Sequence, residues 1–350
     1  MVPRPPQASP LRRPAAIALV LGAALFVAGG CSSARPELPR SPQQRHLMRQ
    51  QGAAMIDSLV IAHGGMEAWN ASREMAFRST DEWTGPWARV LNPWPVERAA
   101  GEMRFRVHEN LGRAAIVVDE GTLTYGMGRT GPWALLRGAP SPRPSDEQNA
   151  SYLVSWYGFM AGWPFRFKES GAVAHYLGRA HRKYASASQE FDEVLVSYPP
   201  EGDVWPDDWF VVRIDPNTHE MRTVSFVTSN RSQRFLETTC EFSNYVNIEG
   251  MKIATTRRFF VSSPMEEALH TWTMADLRVN QMSPDEYFER RTNGAEPAPS
   301  TPSAMDSAAT AVREAGQAVG VAAESLGRRA GDAVGGAVDS LRAKTGTAPR

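Results

Sequence analysis

From residue 75 to residue 278 the chain keeps returning to short runs in which apolar and polar side chains alternate, and that period of two governs what it can fold into. Met103-Arg104-Phe105-Arg106-Val107-His108 is the clearest example, with one dry face and one wet face. Similar runs lie at 75–83, 113–119, 122–126, 132–137, 172–178, 190–198, 209–215, 221–228, 234–245, 251–262 and 268–278. Turn formers separate them, among them Glu120-Gly121, Gly128-Arg129-Thr130-Gly131, Asp215-Pro216-Asn217-Thr218 and Glu249-Gly250. Strands at such close spacing with short turns favour one large antiparallel sheet.

Helical spacing interrupts this pattern in two principal places. Residues 50–62 carry Met55, Ile56, Leu59 and Val60 along one side and stop at His63-Gly64-Gly65, where the histidine suits the negative helix end. A further short turn of helix over 66–72 carries Trp69. After the proline-rich loop 139–144, Ser145 is the expected N-cap of a helix over 146–161, on which Tyr152, Trp156 and Phe159 fall three or four apart. The body is thus expected to be one sheet of ten or more strands with two main helices.

The chain ends have a different character. Arg4, Arg12 and Arg13 precede an uncharged, mostly apolar run from Ala15 to Gly30, too short for a stable membrane span and suited to an export signal. Val27-Ala28-Gly29-Gly30-Cys31 resembles a bacterial lipobox, with Ala28 where Leu is usual, and implies lipid attachment at Cys31, for example palmitate. A plain signal peptide with an incidental cysteine is the alternative. Residues 1–30 are therefore expected to be a lipoprotein signal peptide, 31–45 a flexible tether and 46–292 the folded domain. Residues 293–304 read as a disordered linker. The Ala-rich segment 305–350 has an apolar stripe repeating every eleven residues at Val319, Ala330 and Leu341, broken by glycines such as Gly316, Gly320 and Gly327. Each glycine costs about 1 kcal/mol inside a helix, so this is a conditional amphipathic helix or a disordered tail, with 305–344 available to a protein or membrane partner.

Charge and motif content narrow the function. With 38 Lys+Arg against 38 Asp+Glu there is no basic field for nucleic acid. Two cysteines exclude a disulfide framework and a cysteine-cluster metal site, and Cys240, in a strand-like run, reads as a buried thiol. No pair of histidines has metal-ligand spacing. Neither G-x-S-x-G nor a strand-linked G-x-G-x-x-G with a following helix occurs. No cofactor, metal or catalytic residue is expected. What remains is an apolar surplus in and beside loops: Trp83, Trp87, Trp133, Tyr152, Trp156, Phe159, Trp163 and Phe165 are the candidate ligand-binding residues. For most such rings, plain core packing is the competing explanation.

Several stretches resemble an outer-membrane lipoprotein-sorting-protein-like family of bacterial lipoproteins. They are Ile61-Ala62-His63-Gly64-Gly65 with Trp69, Trp156-Tyr157-Gly158-Phe159 with Trp163-Pro164-Phe165, and Tyr176-Leu177-Gly178. The most distinctive is Pro206-Asp207-Asp208-Trp209-Phe210 leading to Ile214-Asp215-Pro216-Asn217-Thr218-His219. That family is similar to the LolA/LolB and LppX/LprG carriers. The resemblance implies a mainly β fold: a curved antiparallel half-barrel of about ten to twelve strands with helices covering the concave face, holding an acyl chain or similar hydrophobic ligand. The expected protein is a non-enzymatic lipoprotein of the cell envelope, anchored through Cys31 on the periplasmic side, with the outer membrane favoured. Two other readings stay open. One is a structural or interaction module that docks through its C-terminal segment. The weaker one is an envelope hydrolase using His63, His175 or His219 with an aspartate from another strand.

Overall fold

The structure, a computed structural model, describes residues 35–84, 88–169, 171–184, 187–198, 208–227, 237–261 and 268–290. The expected signal peptide, Cys31, Trp87, Asp207, the linker and the C-terminal segment lie outside the described residues.

Among the described residues a single antiparallel sheet holds thirteen strands. Its first half comprises β1 (Glu74–Trp83), β2 (Arg98–Arg106), β3 (Gly112–Val118), β4 (Gly121–Gly128), β5 (Gly131–Leu136) and β6 (Ala139–Pro140). The second comprises β7 (Val173–Tyr184), β8 (Ala187–Ser197), β9 (Trp209–Ile214), β10 (Met221–Val227), β11 (Thr238–Ile248), β12 (Met251–Val261) and β13 (His270–Val279). The order β6-β5-β4-β3-β2-β1-β13-β12-β11-β10-β9-β8-β7 joins two meanders along one seam, β1 against β13. The edge strands β6 and β7 do not pair with each other, so the sheet is open. One strand more is present than expected, because Ala139 and Pro140 of the proline-rich loop pair with β5. Proline is tolerated there because an edge strand needs no second hydrogen-bond partner.

The first helix, α1 (Pro42–Ala62), begins well before its apolar pattern does. Ser41 caps it, its hydroxyl accepting from the Gln44 amide at 3.4 Å, and Pro42 occupies the first turn, where no N–H is required. It packs on β7 and β8 so closely that a Cβ on Gly52 would stand 2.7 Å from the Ala174 backbone. Next come α2 (Gly65–Ala71), the single turn α3 (Ala88–Leu91) and α4 (Ser145–Ala161). Ser145 is not the cap of α4: Pro144 holds that position without a side-chain bond, and the Ser141 hydroxyl donates to Asp146 of the first turn.

Helix α4 gives the sheet its curvature a purpose. It lies against β3, β4 and β5 of the first half, while Tyr157 meets Trp272 of β13, Trp156 meets Phe226 of β10 and Phe159 meets Phe210 of β9. A single helix can touch both halves only if the sheet curls around it, and its face toward α4 is the inner one. This is the half-barrel expected from the sequence.

Among the described residues the outer face is covered in two places. Residues 280–290 cross the first half, where the Arg106 guanidinium donates to the Ser283 carbonyl at 2.6 Å and the Trp133 indole donates to the Phe288 carbonyl at 2.9 Å. On the second half Leu195, Trp209 and Val211 form a separate apolar cluster, against which Leu38 packs from the stretch read as a tether.

Candidate functional site

Inward positions of the strands and one side of α4 fill the hollow with rings. Trp163 stands edge-on to Trp156, Phe210, Phe226 and Phe242, and Phe165 stacks on Trp69 at 5.0 Å. Among the described residues the best-formed gap on the inner face has a volume of about 10 Å³, room for one water. It lies at the end of the sheet where β1 finishes and β13 begins, bordered by Trp83, Tyr152, Trp156, Thr238, Phe259 and His270.

Of the expected ligand-binding rings, Trp83, Tyr152 and Trp156 reach this gap. Phe159, Trp163 and Phe165 are buried deeper and meet other side chains rather than open space. Trp133 is a correction. It points to the outer face, opposite Gly126, where any Cβ would overlap the indole, and residues 280–290 cover it. Alternation places Trp133 and Ala134 on opposite faces, and it is Ala134 that turns inward.

Beside the gap lies a polar cluster that the sequence did not single out. Asp81 has no solvent exposure, yet its carboxylate accepts from His270 Nδ1 at 2.7 Å and from the Trp83 and Trp94 indoles at 2.8 Å each, and the Tyr157 hydroxyl also donates to it. Burial alone would push the Asp81 carboxyl up. The charge and hydrogen bond of His270, with the bonds from Tyr157 and Trp83, outweigh it and hold the pKa below the ordinary aspartate value. Burial and the Asp81 charge push the Tyr157 phenol well up, which keeps it a donor. The His270 ring is clamped between the Trp83 and Phe259 rings, each 4.0 Å away and nearly parallel. Register explains the meeting: Trp83 pairs with His270 and Asp81 with Trp272, so Asp81 and His270 are diagonal neighbours on the inner face.

A second buried charge lies further in. Arg257 is fully buried, donates to the Met160 carbonyl at 3.3 Å and to Met274 Sδ at 3.4 Å, and lies over the Trp272 ring at 4.6 Å. Burial lowers its pKa to about 10, which leaves it charged at neutral pH. The carbonyl it holds belongs to the last turn of α4, the negative end of the helix dipole, and the Trp272 π face supplies further compensation.

The histidines named for hydrolysis do not assemble a site. His63 is buried beneath α1, where Nδ1 donates to the Lys252 carbonyl at 2.8 Å and Nε2 accepts from the Met221 amide at 3.2 Å. That fixes one neutral tautomer and corrects the dipole-capping expectation: the imidazole ties α1 to β12 and β10. His175 is half-buried on β7, paired with Leu195 of β8, and His219 sits in the turn after β9 with φ 57°. Cys240 is buried, and burial pushes its thiol well up, as befits a structural cysteine. Among the described residues no three His, Cys, Asp or Glu side chains gather to hold a metal, and no helix is long and apolar enough to cross a membrane.

No protein-family model and no curated protein matches the chain. Solved structures that are similar to it include members of the family its sequence resembles. An outer membrane lipoprotein-sorting protein domain from Vibrio parahaemolyticus shares 9% identity over 68% of this chain and 97% of that one, with a TM-score of 0.38. A LolA superfamily protein from Nitrosomonas europaea shares 10% over 69% and 97%, with a TM-score of 0.39. A DUF1329 family protein from Desulfovibrio piger shares 9% over 69% and 97%, with a TM-score of 0.37.

Proposed function

We propose that this protein is a non-enzymatic envelope lipoprotein that takes up an acyl chain or comparable apolar ligand on the inner face of its half-barrel. Cys31 is its lipid anchor, on the periplasmic side and by preference at the outer membrane. The observation that carries the reading is the open sheet wrapped around one aromatic helix, with its gap beside Trp83 and Trp156 where β1 finishes. Removing a C14–C16 chain from a bilayer costs roughly 11–13 kcal/mol at about 0.8 per CH₂. A gap of about 10 Å³ cannot accept such a chain, so the inner face of α4 has to give way. Burial of Trp156, Tyr157, Phe159 and Met160 contributes about 1.5–3 kcal/mol each, a total comparable with the chain's own transfer energy. A ligand that takes over those contacts exchanges like for like, and the filled interior is then the closed state of a carrier.

The size of the gap favours a second reading, in which α4 is a permanent filling and the protein is an interaction module. A reversible lock separates the two. A Cβ on Gly112 of β3 would stand 2.6 Å from Val154 Cγ1 of α4, near enough for a disulfide between Gly112→Cys and Val154→Cys. In the full chain with Cys31→Ser, oxidation is expected to abolish uptake of a fluorescent fatty acid and reduction to restore it. Absence of uptake in the reduced and unmodified proteins alike, with no lipid recovered on detergent-free purification, leaves the interaction module standing.

A further inference from the structure

The gap has a polar side, formed by His270 and Thr238. Both side chains are almost wholly buried, both border the gap, and His270 Nε2 and Thr238 Oγ1 have no hydrogen-bond partner among the described residues. Every other feature of His270 is fixed: Asp81 holds Nδ1, and the two flanking rings hold the plane. An imidazole locked this firmly, with one free nitrogen at the edge of an aromatic gap, is placed to receive one particular group.

We propose that His270 and Thr238 form a subsite for the carboxyl end of a fatty acid, with its chain running inward along α4. This rests on the carrier reading given above and names the ligand class for it. The chemistry is one charge-assisted hydrogen bond: the ring donates Nε2–H to a carboxylate oxygen of the ligand while its Nδ1–H is held by Asp81, and no covalent bond is made or broken. Asp81 balances the imidazolium through Nδ1, and the faces of Trp83 and Phe259 favour a cationic ring between them. The Thr238 hydroxyl donates to the second carboxylate oxygen. Among the described residues no lysine or arginine borders the gap, so they offer a phosphate headgroup no match for its greater charge. An ester and an alcohol carry no negative charge for the ring to pair with, and an alcohol provides one oxygen where two are received.

The test uses the full chain with lauric acid, dodecanol and methyl laurate, each competing against a fluorescent fatty acid. Lauric acid is expected to bind about tenfold tighter than either analogue, in keeping with one charge-assisted hydrogen bond. His270→Gln should bring the acid to the level of the ester, and Thr238→Val should weaken it several-fold while leaving the ester unchanged. Because His270→Gln disturbs a packed stack, the ¹⁵N shift of His270 Nε2 in the unmodified protein provides a second reading, expected to move with lauric acid and to stay still with methyl laurate. Equal binding of acid and ester, or a silent His270, overturns the carboxylate subsite and leaves the carrier reading intact. Failure of all three compounds to bind removes both.

Discussion

At one end of the half-barrel, α1 and α2 cross the strand ends and are stitched to them. His63 bonds β10 and β12, Gly64 lies against Gly250 of the β11–β12 turn, and the Trp69 indole donates to Glu169 at 3.0 Å. At the other end no comparable pair of helices crosses among the described residues. The rings of Trp83, Trp94, Tyr157 and His270 gather instead around the Asp81 carboxylate, and a gap remains beside them. The first end is held by backbone contacts and a neutral imidazole, the second by side chains converging on one charge. Backbone contacts tolerate little movement, whereas rings grouped around a carboxylate can re-pack without breaking a strand. On the carrier reading proposed above, the Asp81 end is the one assigned to ligand entry.

The largest expected effect comes from removing the charge at the Asp81 end. Asp81→Ala leaves the donors of Trp83, Trp94, Tyr157 and His270 without their acceptor and should cost about 3–5 kcal/mol, seen as a lower urea midpoint. A loss below about 1 kcal/mol would mean that Asp81 does not organise that end, and the contrast would break. At the closed end Gly64 has φ 108°, and a Cβ there would overlap the Gly250 carbonyl. Gly64→Ala should therefore cost about 1–3 kcal/mol while leaving fatty-acid affinity unchanged, and a change in affinity would show the two ends to be coupled. The smallest effect concerns pH. Burial, the largest influence on His63, lowers its pKa below the 6.5 of the unfolded chain, although the hydrogen bond to Lys252 works the other way. The unfolded chain then binds the proton more readily, so the His63 contribution is complete above pH 6.5 and declines as pH falls below it. Thermal unfolding of the wild type between pH 8 and 5 should show this decline, and His63→Gln should flatten it. An unchanged slope would free the closed end from dependence on that imidazole.

Much of the fold was legible because its signals are local. Alternation placed twelve of the thirteen strands and period 3.6 placed α4, since both follow from where successive Cβ atoms point. The start of α1 was hidden because residues 42–49 are mostly polar and their helix begins with a cap and a proline rather than an apolar stripe. At the site, Trp83, Tyr152 and Trp156 were found by being aromatic near loops, but the same criterion also took in Trp133, which faces the other way. Alternation tells which residues share a face, yet not which face is inside. Asp81 and His270 did leave a trace, as polar residues at inward positions of their strands. Their meaning was invisible because 189 residues separate them.

The sequence by itself determined a β-rich body, its turns, its principal helices and an apolar excess too large for a simple surface. Each of these depends on neighbours a few residues apart. Only the tertiary structure decided that β1 would close on β13, bringing a carboxylate beneath an imidazole, and that the aromatic excess would occupy the hollow rather than merely line it. Pairing between distant strands is set by closure of the whole sheet. The space left inside it is a small difference between two large volumes, and no local pattern encodes such a difference.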